Sequence, residues 1–169
     1  MEVFEAVRTV LAVRRYSERR PPADLVRRIV DAGRLSASAT NSQPWHFIVI
    51  EERATLDKVG ELMDTGRYAA GASLAIAVMI EKDRRIAVSD GSRAIQNMIL
   101  TAWSEGVGSN WIGFGRMPAI ETLLGVPDTH QGLAVLAFGY PTETIGRGRK
   151  KRKPVGEIAS RERYGTPFA

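Results

Sequence analysis

The chain has 169 residues, 44% of them hydrophobic, and a net charge of +5, a size that suits one domain with a sizeable core. It has no cysteine and only two histidines, His46 and His130; this excludes disulfides, thiolate nucleophiles and Cys-bound metals, and no carboxylate motif makes a metal site of the histidines. No apolar run approaches the roughly 20 residues that span a bilayer, and the opening "MEVFEAVRTV" has neither the positive n-region nor the apolar h-region of a leader, so a cytoplasmic protein with no membrane contact is expected.

Residues 2–12 carry an apolar pattern of helical period in Val3, Phe4, Val7, Val10 and Leu11, which predicts a first helix. "RRYSERRPP" breaks it, and Pro21-Pro22 open a second helix with Leu25, Val26, Ile29 and Val30 on one face and arginines on the other. The small-residue loop "SASATNSQP" (36–44) leads into the strand "HFIVIE". A helix over 53–64 and a short apolar strand, "SLAIAVMIE" (73–81), follow. A long helix is predicted from about 90 to 105, with Ile95, Met98, Ile99, Ala102 and Trp103 on its apolar face and Gly106 placed to terminate it. "SNWIGF" reads as a short strand or turn, Pro118–Leu124 as a helix, and "GLAVLAFGYP" (132–141) as a further apolar strand. Strands alternating with helices argue a sheet covered on both faces. The whole chain, 1–169, forms a single domain on this reading, with about 142–169 as an extended C-terminal segment. That segment has little periodicity yet carries Tyr164 and Phe168; it either wraps onto a partner subunit or is a disordered end.

The positive charge is local. "RGRKKRK", Arg147 to Lys153, holds six cations, so the rest of the chain has a net charge of −1. A uniform basic face for nucleic acid is therefore absent, and the run lacks the interleaved aromatics of a single-strand binder. With the arginines ahead of Pro21 it offers a phosphate site, because Arg bonds phosphate in bidentate fashion and Lys adds a point charge; solvated charge is the bland alternative. Gly106-Val107-Gly108 is either a helix end with a turn or a source of backbone N–H groups for a flat ligand. His46 is either an acid–base group or a locally bonded strand residue. No Ser-His-Asp arrangement, carboxylate pair or phosphate loop stands out, so a bound cofactor is expected to carry the chemistry and no side chain is assigned a catalytic role.

The stretch "SASATNSQPWHFIVI" after "DLVRRIVDAGRL" resembles the nitroreductase family of flavin enzymes, with its small-residue run, Asn-x-Gln-Pro-Trp and strand. "RRYSERRPP", "SDGSRAIQNMILTAWSEGVGSNWIGF", "LAVLAFGYP" and the basic run before Pro154 resemble further family segments in the same order. The resemblance implies an α+β fold, a three-layer α-β-α sandwich whose central mixed sheet is flanked by helices, with the C-terminal extension exchanged across an obligate homodimer. It also implies FMN at the dimer interface, NAD(P)H as electron donor, and nitroaromatics, quinones or similar flat acceptors; the alternative is a flavin-binding or storage module without efficient turnover. Ser38, Ala39 and Asn41 match positions lining the flavin from the partner subunit. Gly106, Val107 and Gly108 match the turn whose N–H reaches flavin N5. Arg14 matches an N-terminal phosphate-side cation, and Lys150 and Arg152 match the C-terminal phosphate ligands. One departure is plain: where family members carry Arg-Arg-Ser, this chain has Val10-Leu11-Ala12, so the basic run is expected to compensate. The family's usual proline at the start of the small-residue run is replaced by Ala37.

Overall fold

In the computed structural model, which describes residues 1–113, 115–143 and 150–168, strand β2 (Leu74–Glu81) explains the layering. Its apolar run sends Leu74, Ile76 and Val78 into one core and Ala75, Ala77 and Met79 into another, because successive strand side chains point to opposite faces. Strand β4 (His130–Gly139) does the same, with Ala134, Leu136 and Phe138 on the first side and Val135 and Ala137 on the second. Strands covered on both faces are apolar on both, so the central stretches of β2 and β4 show no polar alternation, and Glu81, His130 and Gln131 fall at the strand ends.

The first core is closed by α2 (Ala23–Arg34) through Leu25, Val26 and Ile29 and by α4 (Ala87–Ser104) through Ile95, Met98 and Ala102. The second is closed by α3 (Arg53–Leu62) through Leu56 and Val59 and by α5 (Met117–Leu123) through Ile120. The result is the expected three-layer α-β-α sandwich. Strands β1 (Trp45–Ile50) and β3 (Gly108–Ile112) flank the central pair in the order β1-β2-β4-β3. These four strands pair antiparallel throughout; parallel pairing among the described residues is confined to an isolated bridge between Ala12 and Ser109.

That bridge shortens the first helix. The helical pattern runs to residue 12, but α1 spans Val3–Thr9 and Val10 is already extended, with ψ 131°. The chain leaves the helix to lie along β3, where the Val13 N–H donates to the Ser109 carbonyl at 2.9 Å. Gly108 permits the approach: a Cβ there would meet Val13 Cγ2 at 2.3 Å. Helix α1 is fastened at its other side to α4, through Trp103 Nε1 donating to Thr9 Oγ1 at 2.9 Å.

The C-terminal segment from 150 to 168 has a 3₁₀ turn at Val155–Glu157 and a bridge between Ser160 and Pro167. Almost all its side chains are exposed, Tyr164 and Phe168 among them. Arg147 to Arg149 of the basic run lie outside the described residues.

Substituting Gly108→Ala should destabilise the protein by about 1–3 kcal/mol, the usual penalty for overpacking. Adding Val13→Ala to the same chain should recover part of that loss. Denaturant unfolding of the two variants checks both, and an undisturbed Gly108→Ala protein would mean that the close approach to β3 is not tight.

Candidate functional site

A cleft of about 850 Å³ opens where α1, the segment after it, α4, β3 and the C-terminal segment meet. Val10, Leu11 and Ala12 form an apolar wall, extended by Ile99 of α4. Gln96 and the β3 residues Ser109, Asn110 and Trp111 add polar and aromatic groups. Lys150, Arg152 and Arg8 bring positive charge. The early end of α1 matters here, since a helix continuing through residue 12 could not lay this wall along β3.

The cations are positioned by specific contacts. The Lys150 ammonium donates to the Val7 carbonyl at 2.6 Å, in the last turn of α1, where carbonyls lack helical partners and the helix dipole favours a positive charge. Partial burial pushes the Lys150 pKa down, and the neighbouring Arg152 charge pushes it the same way. Arg152 Nη1 donates to the Lys151 carbonyl at 3.0 Å. Arg8 is held by Glu5 through Nε to Oε2 at 2.9 Å and Nη2 to Oε1 at 2.8 Å. Asn110 is buried, and its Nδ2 has no hydrogen-bond partner among the described residues.

The structure brings only some of the sequence-selected residues together. Lys150 and Arg152 line the cleft as expected; Arg14 does not. Its guanidinium lies 5.8 Å from the centre of the Tyr68 ring. Arg8, which sequence reasoning passed over, supplies the third cation of the cleft among the described residues. Gly106, Val107 and Gly108 do not line the cleft either. Gly106 has φ +78°, its N–H bonds the Trp103 carbonyl at 3.0 Å, and the Val107 N–H bonds the Ala102 carbonyl at 2.9 Å. These paired bonds close the end of α4 as a Schellman motif, so two of the turn's N–H groups are already engaged.

Ser38, Ala39 and Asn41 form a separate, tightly specified loop. Thr40, Asn41 and Gln43 have φ of 53°, 55° and 49°. Asn tolerates this left-handed region, whereas a β-branched Thr is strained there. The loop is held by the Ser38 hydroxyl, which accepts from the Gln43 N–H at 2.9 Å, and by Asp90, whose Oδ2 accepts from the Ala39 N–H at 3.2 Å. Asp90 is fully buried in the first turn of α4 and also accepts from Arg93. Asn97 Nδ2 anchors the start of the loop through Ser36 Oγ at 2.7 Å. At a 1.5 Å rise per residue, α4 sets Asp90 and Gly106 about 24 Å apart. The loop and the glycine turn thus stand at opposite ends of one helix, and the loop does not line the cleft of its own chain.

The sequence profile of the nitroreductase family matches residues 8–75 and 66–140. The chain belongs to the nitroreductase family. A protein of Methanothermobacter thermautotrophicus, provisionally named NADH dehydrogenase/NAD(P)H nitroreductase, is 36% identical over 154 residues, covering 86% of this chain and 81% of its own. A crystal structure of a protein from Parabacteroides distasonis with the same provisional name superposes with a TM-score of 0.87 at 26% identity, over 96% of this chain and 98% of the other. The fold is shared also with the NADPH:FMN oxidoreductase of Vibrio harveyi, solved with NAD+, at a TM-score of 0.85 and 17% identity, over 96% and 77% of the two chains. In this nitroreductase-family chain the C-terminal Lys150 and Arg152 line the cleft together with Arg8 of α1.

One missed signal was readable. Asp90 sits at a buried position of the α4 stripe that includes Ala87, Ala94 and Ile95, and a carboxylate on an apolar helix face marks a specific partner. In this family member, Asp90→Ala should cost about 1–3 kcal/mol by leaving the Ala39 N–H and Arg93 without their acceptor, whereas Asp90→Asn, which keeps an oxygen for Ala39, should cost less. Equilibrium unfolding of both variants distinguishes the two; equal losses would assign the effect to the charge rather than to the loop contact.

Proposed function

We propose that this chain is an NAD(P)H-dependent flavin oxidoreductase that holds FMN in the cleft between α1, α4, β3 and the C-terminal segment and reduces flat acceptors such as nitroaromatics or quinones. The observation that carries the reading is the cleft's division into two chemistries: Lys150, Arg152 and Arg8 supply cations, and Val10, Leu11, Ala12 and Ile99 supply an apolar wall. A ligand with an anionic end and a flat, largely apolar body matches both. The unpartnered Nδ2 of buried Asn110 adds a donor that an acceptor atom of such a ligand would satisfy. When bound, FMN supplies the hydride acceptor and donor that no side chain of the cleft provides. The protein's part is to hold the phosphate, orient the ring and shape an apolar slot for the acceptor.

The same reading needs two chains. Ser38, Ala39 and Asn41 do not line the cleft of their own chain, so on this reading they meet the flavin from a second copy. Val3 and Phe4 of α1, together with Ile158 and Tyr164, are large apolar side chains left exposed on the single chain, which suits burial between copies. If the site is shared, two individually defective variants should complement each other. Mixing Asn41→Ala chains with Lys150→Ala/Arg152→Ala chains under exchange conditions should restore flavin binding to part of the population. Sedimentation of a folded, flavin-loaded monomer would refute the shared site.

A second reading, a flavin-binding module without efficient turnover, rests on Val10-Leu11-Ala12, which cannot bind an anion. Steady-state oxidation of NADH or NADPH with menadione separates it from the enzyme. The first test is the absorbance spectrum of the purified protein, in which bound flavin absorbs in the near-UV and blue; a colourless protein that cannot be reconstituted would remove the proposal. The sharper test is a pair of titrations. Lys150→Ala/Arg152→Ala should weaken FMN binding by about a hundredfold, since two charge-assisted bonds are removed, while affinity for riboflavin, which has no phosphate, changes far less. Equal losses for both flavins would mean that the two residues act through fold or assembly.

A further inference from the structure

We infer that Arg8 is the third phosphate-binding cation of the cleft and that Glu5 is its resident counter-anion, displaced when the cofactor's phosphate arrives. The inference rests on the FMN reading above and names residues that neither the family motif nor the sequence pattern pointed to.

Three observations converge on it. First, Arg8 lines the same cleft as Lys150 and Arg152, and Lys150 is bonded to the carbonyl of Val7, the residue next to Arg8. Arg8 belongs to the last turn of α1, and Lys150 is anchored to that same turn. Second, the positions immediately after α1, Val10 to Ala12, carry no charge or hydrogen-bonding side chain. Among the described residues, an anion at this end of the cleft thus meets cations from α1 and from the C-terminal segment; Arg14 is turned away to Tyr68. Third, the Arg8 guanidinium already holds a planar two-oxygen acceptor. Glu5 engages Nε and Nη2 in the fork geometry that a phosphate would use, while Nη1 bonds none of the described residues. About half of the Arg8 side chain is exposed, so an incoming anion has access to it.

The arrangement has a signed consequence. An ordinary helix-surface ion pair contributes little and through both partners alike, so removing either residue would change ligand binding in the same direction or not at all. A counter-anion competing with phosphate acts oppositely to the cation it masks. Arg8→Ala should weaken FMN binding about tenfold, the lower end for a charge-assisted bond because the Glu5 pair is given up on binding. Arg8→Lys, which keeps the charge and loses the fork, should fall between Arg8→Ala and wild type. Glu5→Gln should tighten FMN binding, because the competing carboxylate and its repulsion of phosphate are both removed. Riboflavin affinity should stay within about twofold of wild type in all three, as none of these contacts reaches a phosphate-free ligand.

The experiment is fluorescence titration of apoprotein of wild type, Arg8→Ala, Arg8→Lys and Glu5→Gln with FMN and with riboflavin, repeated at two salt concentrations. Opposite shifts for the Arg8 and Glu5 variants, seen with FMN alone and reduced at high salt, are the expected result. Weakening by Glu5→Gln, or equal effects on the two flavins, would make the pair a structural element of α1 and overturn the inference while leaving the flavin reading intact. Unchanged FMN affinity in Arg8→Ala would do the same. A wild-type protein that binds neither flavin would instead overturn the flavin reading, and the inference with it.

Discussion

Burial of α4 against the sheet is the constraint on which the rest of the molecule depends. Its stripe of Ala87, Asp90, Gly91, Ala94, Ile95, Met98 and Ala102 is fully or nearly fully removed from water, so the helix has little freedom to slide or roll. Everything functional is measured from it. Asp90 near its start holds the 38–41 loop, Gln96 and Ile99 at its middle form one side of the cleft, Trp103 near its end grips α1, and the Schellman closure at Gly106 aims the chain into β3. A helix of this length is a ruler. It fixes the strained loop at one end and the glycine turn at the other, with one side of the cleft between them.

The layered fold was legible because each buried strand had to be apolar at all positions and each covering helix had to show a 3.6-residue stripe. Gly106 was legible for a local reason: its left-handed φ is one that few residues other than glycine adopt readily. The end of α1 was not. Val10 and Leu11 continue the helical period, and only the non-local pairing of Ala12 with Ser109 pulls them out of it. That single tertiary contact converts three residues from a helix turn into the wall of a cleft.

The site was legible in part, and for a related reason. Lys150 and Arg152 line the cleft; the position of the basic run in the family's motif order singles them out, since a crowded run of cations is by itself equally consistent with solvated charge. Arg14 is singled out by its place in the family motif, whereas Arg8 carries no sequence signal beyond its charge. Arg14 lies against Tyr68, while Arg8, paired with Glu5 one turn back on α1, lines the cleft. The turn at 106–108 illustrates a different ambiguity: its glycines fit a ligand-facing turn and a helix end equally, and the bonds from Gly106 and Val107 back to α4 establish the helix end.

The bond between Lys150 and the Val7 carbonyl ties the two ends of the chain to one another. Helix α1 has only two turns, too few to persist by itself, and it stands because Trp103 and Lys150 hold it. The N-terminal helix and the start of the C-terminal segment consequently share one opening equilibrium at the rim of the cleft. Any ligand seated against both adds its binding free energy to that closed state, about 2.7 kcal/mol at a concentration one hundred times its Kd. Resistance of the two termini to proteolysis would then rise in step with saturation of the cleft, so that trimming of either end becomes a readout of how full the cleft is.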